Sequence, residues 1–152
     1  MPKIDVAAVP ARKGSGYPPP FDAPCGARTR KHLGGAGGLR DFGVNLMTLP
    51  PGGWSSQRHW HSHEDEFVYV LQGAPTLFTD EGATRLEPGM CAGFKAGSGN
   101  AHRLVNHSEE DVLYLEIGDR TPGDSATYPD DDLRAQAVDG RWVFVHKDGT
   151  PY

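Results

Sequence analysis

This 152-residue sequence has few cysteines, no long apolar run and no excess of positive charge. Each of these absences argues against a class of protein. Only Cys25 and Cys91 are present, which argues against a disulfide framework and favours a reducing, cytoplasmic location. No apolar stretch could span a bilayer, and residues 1–10 lack the apolar centre of a secretory signal, so no membrane partner is expected. The formal net charge of −5 argues against a nucleic-acid partner.

Turn-forming residues, in contrast, are abundant: 20 glycines and 13 prolines are more than a helical bundle would tolerate. From Phe42 onward they separate short, strand-like segments at spacings of about 8–12 residues. The breaks are PPGG, DEG and PGM, and the segments between and after them are FGVNLMTL, SQRHWH, EFVYVLQ, TLFT, ATRLE, CAGFKA, HRLVN and VLYLEIG. This punctuation predicts an all-β sandwich or barrel.

The chain divides into three predicted parts: an irregular N-terminal arm (1–38), a β-barrel core (39–120) and a C-terminal extension (121–152). We expect the extension to pack on the barrel or on a dimer partner. Its segment PDDDLRAQAV, 129–138, begins with carboxylates that suit a first helical turn, which favours a short helix. RWVFVHK, 141–147, alternates and predicts a late strand. A disordered acidic tail is the alternative, which the apolar side chains of 142–145 disfavour.

Potential metal ligands are concentrated in QRHWHSHEDE, residues 57–66. Alternate residues of a strand face the same side, so His59 and His61 converge near a strand end. Glu66 has the wrong parity for one straight strand, but a corner at 62–65 would return it to that face. His102, at the start of HRLVN, is the best candidate for a fourth ligand.

Three imidazoles and one carboxylate make a mixed nitrogen and oxygen site, suited to one Fe, Mn, Ni, Cu or Zn ion and not to a thiolate site. In an octahedral ion, two coordination positions would remain open for water, substrate or oxygen. Open positions are the usual basis of Lewis-acid or oxygen-activating chemistry.

The same residues carry a family resemblance. Gly53, His59, His61, Glu66 and Gly73 match the first cupin motif, G(X)5HXH(X)3–4E(X)6G. The second motif is matched more loosely: His102 and Asn106 keep its H(X)3N spacing, whereas Lys95 stands where the motif has proline. Over about residues 42–118 the chain therefore resembles the cupin superfamily, in particular single-domain bacterial cupins of unassigned activity.

This resemblance implies a small jelly-roll barrel, or double-stranded β-helix, with one divalent transition-metal ion held by His59, His61, Glu66 and His102. It also implies a homodimer. Independently, strand parity turns Phe67, Tyr69 and Leu71 outward, and this apolar face should be covered by the arm, the tail or a second subunit.

Other residues near the cluster have weaker assignments. His63 is a candidate proton carrier, although a solvent-facing corner position is the simpler interpretation. Gln57 and Asn100 are candidate substrate contacts, because their parity matches that of the ligands. Glu64 and Asp65 could orient the ligating imidazoles or could simply be solvated.

Two functions follow. The first is a metal-dependent enzyme acting on a small polar or aromatic molecule: an oxygenase with iron, or an isomerase, hydrolase or lyase with Zn, Ni or Mn. The second is a non-catalytic protein that binds or senses a small sugar or carboxylate through the metal. A metal-free scaffold is a third possibility that the ligand spacing disfavours.

Overall fold

The computed structural model describes residues 3–152, which form thirteen strands, one four-residue helix and one 3-10 turn. No helix in this range is both long and apolar enough to cross a membrane. The helix, α1, is Leu33–Ala36 and the 3-10 turn is Ala23–Cys25. The strands are β1 Ala11–Lys13, β2 Thr29–His32, β3 Phe42–Leu49, β4 Trp60–His61, β5 Glu66–Gln72, β6 Thr76–Thr79, β7 Gly82–Arg85, β8 Cys91–Phe94, β9 Arg103–Val105, β10 Val112–Asp119, β11 Ser125–Tyr128, β12 Leu133–Val138 and β13 Arg141–Val145.

The strands form three antiparallel sheets. Six strands join in the order β1-β2-β3-β10-β5-β8, four in the order β13-β12-β11-β4 and three in the order β7-β6-β9. On β5, Val68 and Val70 are buried, whereas Phe67, Tyr69 and Leu71 are exposed, so only one face lies against the core. The predicted all-β class is confirmed, and every segment predicted between residues 42 and 118 contains a strand, although SQRHWH contributes only Trp60–His61.

The N-terminal arm is more regular than the sequence suggested, because it adds two strands to the largest sheet. β1 pairs with β2, and β2 pairs with β3 through the partners Arg30↔Met47 and His32↔Asn45. The alternation in TRKH went unrecognised because its side chains are polar on both faces. Residues 1 and 2 of the predicted arm lie outside the described range.

The C-terminal extension builds the four-stranded sheet, in which β11 pairs with β4. The structure corrects the sequence prediction at 129–138, which form a turn followed by β12 and not a helix. Leu133 and Ala135 are buried while Arg134 and Gln136 are exposed, a period of two that suits a strand. The carboxylates of Asp130 and its neighbours instead contact side chains elsewhere, as in the ion pair of Asp130 with Arg58. The late strand predicted at 141–147 is present as β13.

Two apolar clusters hold these layers together. The larger fills the barrel and the smaller joins the extension to the arm, where Tyr17 and Phe21 pack against it. The buried members of the larger cluster are Met47, Leu49, Val68, Val70, Leu77, Leu86, Leu104, Val112 and Tyr114, and those of the smaller are Ala126, Tyr128, Leu133 and Ala135.

The outward face of β5 remains exposed. Phe67 and Tyr69 are each 38% accessible and Leu71 is 46% accessible, so neither the arm nor the tail covers them as we expected. Covering by a second subunit remains a prediction of the sequence.

Truncating a buried core leucine should destabilise the protein far more than truncating an exposed one. Leu49 is fully buried, so Leu49→Ala should lower the free energy of unfolding by about 2–5 kcal/mol through lost burial and a residual cavity. Leu39, which is 44% accessible, provides the matched control, and Leu39→Ala should change stability little. Urea unfolding of the three proteins measures the difference, and equal effects of the two substitutions would contradict this account of the core.

The two thiols should differ in reactivity. Cys25 is fully buried whereas Cys91 is exposed. Burial raises the pKa of Cys25 to about 11, which leaves little thiolate at neutral pH. We expect an alkylating reagent to modify one thiol of the folded protein, at Cys91, and both thiols in denaturant. Peptide mapping reads the sites, and rapid native labelling of Cys25 would be inconsistent with this packing.

Candidate metal centre

The two halves of the ligand set are joined by a pair of backbone hydrogen bonds. His59 N–H donates to the carbonyl of His102 (3.1 Å), and His102 N–H donates back to the carbonyl of His59 (2.8 Å). Residues paired in this way project their side chains to the same face, so both imidazoles enter the barrel together. The chain then continues through β4 and the corner at 62–65, which returns Glu66 to that face at the start of β5.

Four ligand atoms meet at the Glu66 carboxylate. Its Oε2 lies 3.5 Å from His59 Nε2, 3.5 Å from His61 Nε2 and 2.9 Å from His102 Nε2. His59 Nε2 and His61 Nε2 are 3.2 Å apart. His59, His61 and Glu66 form a group whose ligand atoms all lie within 4.8 Å of one another, and His102 joins it through Glu66.

These residues fit a divalent transition metal. Bonds of about 2.1 Å place adjacent ligands about 3.0 Å apart around an octahedral ion and about 3.4 Å apart around a tetrahedral one. The separations among His59, His61 and Glu66, 3.2 to 3.5 Å, lie close to that range, whereas His102 Nε2 is 2.9 Å from Glu66 Oε2 but lies outside the group whose ligand atoms are all within 4.8 Å of one another. Glu66 Oε2 is also buried without a hydrogen bond of acceptable geometry, a costly arrangement that a cation would relieve. The cluster is therefore a histidine and glutamate group that could hold a metal.

Hydrogen bonds at Nδ1, the ring nitrogen that does not face the cluster, fix the tautomers of His59 and His61. His59 Nδ1 lies 2.9 Å from the carbonyl of Gln57, and His61 Nδ1 lies 2.6 Å from Asp124 Oδ2. A proton on Nδ1 satisfies each acceptor, which leaves Nε2 with a free lone pair directed at the cluster. His102 has no such partner on Nδ1, and its ring instead stacks on Phe94 at a centroid distance of 3.6 Å.

Asp124 is the orienting residue that sequence reasoning missed. It lies in the loop before β11, is 1% exposed, and accepts hydrogen bonds from His63 N–H (2.8 Å) and Ser62 Oγ (3.1 Å) as well as contacting His61. The sequence offered Glu64 and Asp65, which are closer in the chain, as candidates for this role, with simple solvation as the alternative. A lone aspartate before an alternating strand was too common a pattern to single out Asp124.

The groups of the centre do not all favour the ligating state: burial lowers the pKa of His59, but the adjacent Glu66 carboxylate outweighs it and raises that pKa. Burial opposes ionisation of Glu66, but the close imidazoles of His102 and His59 outweigh it and hold its pKa well below the usual range, so the carboxylate is charged. Burial lowers the pKa of His102 and favours its neutral, ligating form. Burial likewise opposes ionisation of Asp124, but hydrogen bonds from His63 N–H and His61 keep its pKa low.

The centre opens into one cavity of about 600 Å³. Its wall combines charged and aromatic side chains. Its basic side chains are Arg12, Lys13, Arg28, Arg30, Arg120 and Arg141, and its acidic ones are Glu64, Glu66, Glu116 and Asp119. Burial, and then the nearby Asp124 carboxylate, raise the pKa of Glu64 to about 7. Trp142 stands beside the centre, with its ring 5.6 Å from that of His61.

The other residues predicted for the site take different positions. Gln57 is buried, but its side-chain amide donates to the carbonyl of Phe21 (2.8 Å), so it ties the arm to the barrel. Asn100 accepts from Asp80 N–H and donates to Glu81 at the β6–β7 turn, and it also lines a smaller cavity with His61, Glu66 and His102. His63 is exposed beside Ser62 and is absent from the cavity wall, and Asp65 accepts from Ala96 N–H.

Glu116 is a further cavity residue that the sequence did not reveal. It lies on β10 next to Val68 of β5, and one of its oxygens accepts from Asn45 Nδ2 (3.0 Å). A signal was present, since Glu116 is the one charged residue within the apolar segment VLYLEIG and has the inward parity of the buried Tyr114.

Comparison with known proteins places this geometry in a family. The model of the cupin domain matches residues 45–118. The structure of a sugar phosphate isomerase of the cupin superfamily from Silicibacter pomeroyi DSS-3 superposes with a TM-score of 0.95 at 42% identity, covering 99% of this chain and 96% of that one. The chain therefore belongs to the cupin superfamily, and its double-stranded β-helix is confirmed.

Two further structures extend the comparison. A protein from Acidithiobacillus ferrooxidans ATCC 23270, provisionally named a sugar phosphate isomerase, has a TM-score of 0.77 and 33% identity, over 86% of this chain and 83% of that one. The polyketide cyclase RemF from Streptomyces resistomycificus shares the fold at 20% identity, with a TM-score of 0.61 over 78% of this chain and 79% of that one. No curated protein matches the chain.

Removing the Asp124 carboxylate should weaken metal binding without removing a ligand. In Asp124→Asn the amide no longer fixes the His61 tautomer, and we expect the affinity for Zn²⁺ or Mn²⁺ to fall about 10–100-fold. Competition with a chromophoric chelator measures this. Asp139→Asn is the matched control, because Asp139 is exposed with φ +49°, a conformation that asparagine tolerates. Equal affinities in all three proteins would show that Asp124 does not support the centre.

Proposed function

We propose that this cupin is a metal-dependent isomerase of a small phosphorylated sugar. The observation that carries the proposal is that the ligand cluster shares one cavity with six basic side chains. Such a cavity suits an anionic, oxygen-rich molecule better than an apolar one. The two relatives named above as sugar phosphate isomerases support the same substrate class.

Isomerisation of an aldose to a ketose moves one proton between adjacent carbons and one between their oxygens, with no net oxidation. A metal held by the three histidines and Glu66 would supply Lewis-acid stabilisation of the negative charge that develops on the substrate oxygens. The chain's own residues must then position the sugar and transfer the carbon-bound proton.

We assign that proton transfer to Glu116. Its carboxylate is partly buried in the cavity wall, on the strand that pairs with β5 beside the metal cluster. Asn45 holds one of its oxygens, so the other can face the substrate. Glu116 also stands outside the ligand cluster, which leaves its carboxylate available for acid–base work.

The isomerase proposal makes different predictions from the oxygenase and the sensor. An isomerase converts its substrate without consuming O2, and it incorporates solvent deuterium as the carbon-bound proton exchanges. A sensor returns the ligand unchanged. The cavity wall also carries aromatic side chains, so the choice between the isomerase and an oxygenase of aromatic compounds rests on the basic side chains and on the O2 test.

Glu116→Gln should abolish most turnover while leaving the metal in place. We expect kcat for the aldose and ketose phosphates that the wild type interconverts to fall about one-hundred- to ten-thousandfold, because the amide cannot accept the proton. Proton NMR in D2O follows both conversion and deuterium incorporation, and elemental analysis checks metal content.

Glu110→Gln makes the same chemical change at an exposed position outside the cavity and should retain wild-type activity. The proposal fails if the metal-loaded wild type returns a panel of sugar phosphates unchanged and without deuterium. It also fails if turnover depends on O2.

A further inference from the structure

We propose that Arg12 and Arg30 form the site that binds the phosphate group, so the N-terminal arm is the element that recognises the substrate. This inference deepens the proposed function and rests on it for the identity of the sugar. The anion site itself follows from strand register, charge and an unpartnered hydroxyl.

Register directs both arginines into the cavity. Arg12 of β1 is the direct partner of Arg30 of β2, and Arg30 is the direct partner of Met47 of β3. Directly paired residues project from the same face of a sheet, and Met47 belongs to the buried core of the barrel. The two arginines therefore project from the inner face of the sheet; both are exposed to solvent, and both line the cavity.

Among the described residues, no carboxylate neutralises the positive charges of this pair. Like charges directly opposite each other on neighbouring strands repel. Within residues 3–152, neither Arg12 nor Arg30 lies within 4.0 Å of a carboxylate oxygen, whereas Arg58 pairs with both Asp80 and Asp130. An anion bound between the two guanidinium groups would turn this repulsion into attraction and could accept hydrogen bonds from both.

Neighbouring groups extend the same site. Arg120 also lines the cavity and donates from Nη2 to His32 Nε2 (3.2 Å). His32 lies two residues after Arg30 on β2, so the two residues face the same side of the strand. Burial, and then the positive charges of Arg120, Arg30 and Arg12, lower the pKa of His32, as expected where several cations converge.

The loop after β1 contributes an independent observation. Ser15 Oγ is buried, lines the cavity and has no hydrogen-bond partner. A hydroxyl in this state needs a partner, and a phosphate oxygen would provide one. Arg28 Nε donates to the carbonyl of Gly14 (3.2 Å), which fixes this loop against β2.

The arrangement also orients the substrate. β2 and β5 are three strands apart in the sheet order β2-β3-β10-β5, or about 14 Å along the sheet, and less across the curved barrel. Glu66 and Glu116 lie on β5 and β10, so the carboxylates of the reaction centre are on one side of the cavity and the arginine pair is on the other. A sugar phosphate would span the two, with its phosphate at the arm and its carbonyl end at the metal.

The test measures the affinity for inorganic phosphate, by calorimetry on the full-length protein. Arg12→Gln and Arg30→Gln should each weaken phosphate binding about ten- to hundredfold, as expected for the loss of a charged hydrogen-bond donor. Arg134→Gln removes the same charge from an exposed position outside the cavity and should bind like the wild type. In phosphate-free buffer, neither cavity substitution should lower the melting temperature, because each relieves repulsion.

The inference is overturned if the wild type does not bind phosphate, or if the double variant binds it as tightly as the wild type. Binding by the wild type that Arg134→Gln weakens equally would indicate only a general charge effect, and would also overturn it.

Failure of the proposed function gives a different result. His61→Ala, which removes a metal ligand, should keep phosphate binding while losing isomerase activity. If wild-type protein binds phosphate through Arg12 and Arg30 but isomerises no sugar phosphate, the anion site stands and the isomerase proposal falls. If isomerisation is found, Arg30→Gln should raise KM for the phosphorylated substrate at least tenfold, with a smaller change in kcat.

Discussion

The backbone pair between His59 and His102 is the constraint on which the site depends. Two mutual hydrogen bonds join residues that are far apart in the sequence and fix their imidazoles on one inner face. Glu66 then needs only the short corner after His61 to reach the same point. Because the donors are held by backbone hydrogen bonds, the ligand cluster is preformed, and little conformational entropy remains to be lost when a cation binds.

The barrel alone does not complete this centre. The C-terminal extension supplies Asp124, which fixes the His61 tautomer. It also supplies the strand that carries Trp142, whose ring lies beside that of His61. The arm supplies the carbonyl of Phe21, which holds the Gln57 side chain while the Gln57 carbonyl orients His59. The segments outside the core thus position two of the three histidines, so they belong to the functional unit and are more than appendages.

Charge is separated across the cavity in a way that a sugar phosphate would exploit. Carboxylates lie beside the histidines, on β5 and β10, while β1 and β2 present arginines with no ion-pair partner among the described residues. An anionic group could therefore bind at the arginines, apart from the metal ligands.

The local pattern of the sequence determined the strands, the barrel and the proximity of His59, His61 and Glu66, because strand parity and short turns act over a few residues. It also pointed to His102 through a second motif. Only the tertiary structure decided that Asp124 orients His61 across 63 residues, that Gln57 faces the arm, and that Arg12 opposes Arg30. It also decided that residues 133–138 form a strand, since pairing with β11 and β13 outweighs the helical signal of the preceding carboxylates. Those outcomes depend on which strands become neighbours. Pairing between distant segments produces no fixed residue spacing, so the sequence alone does not reveal it.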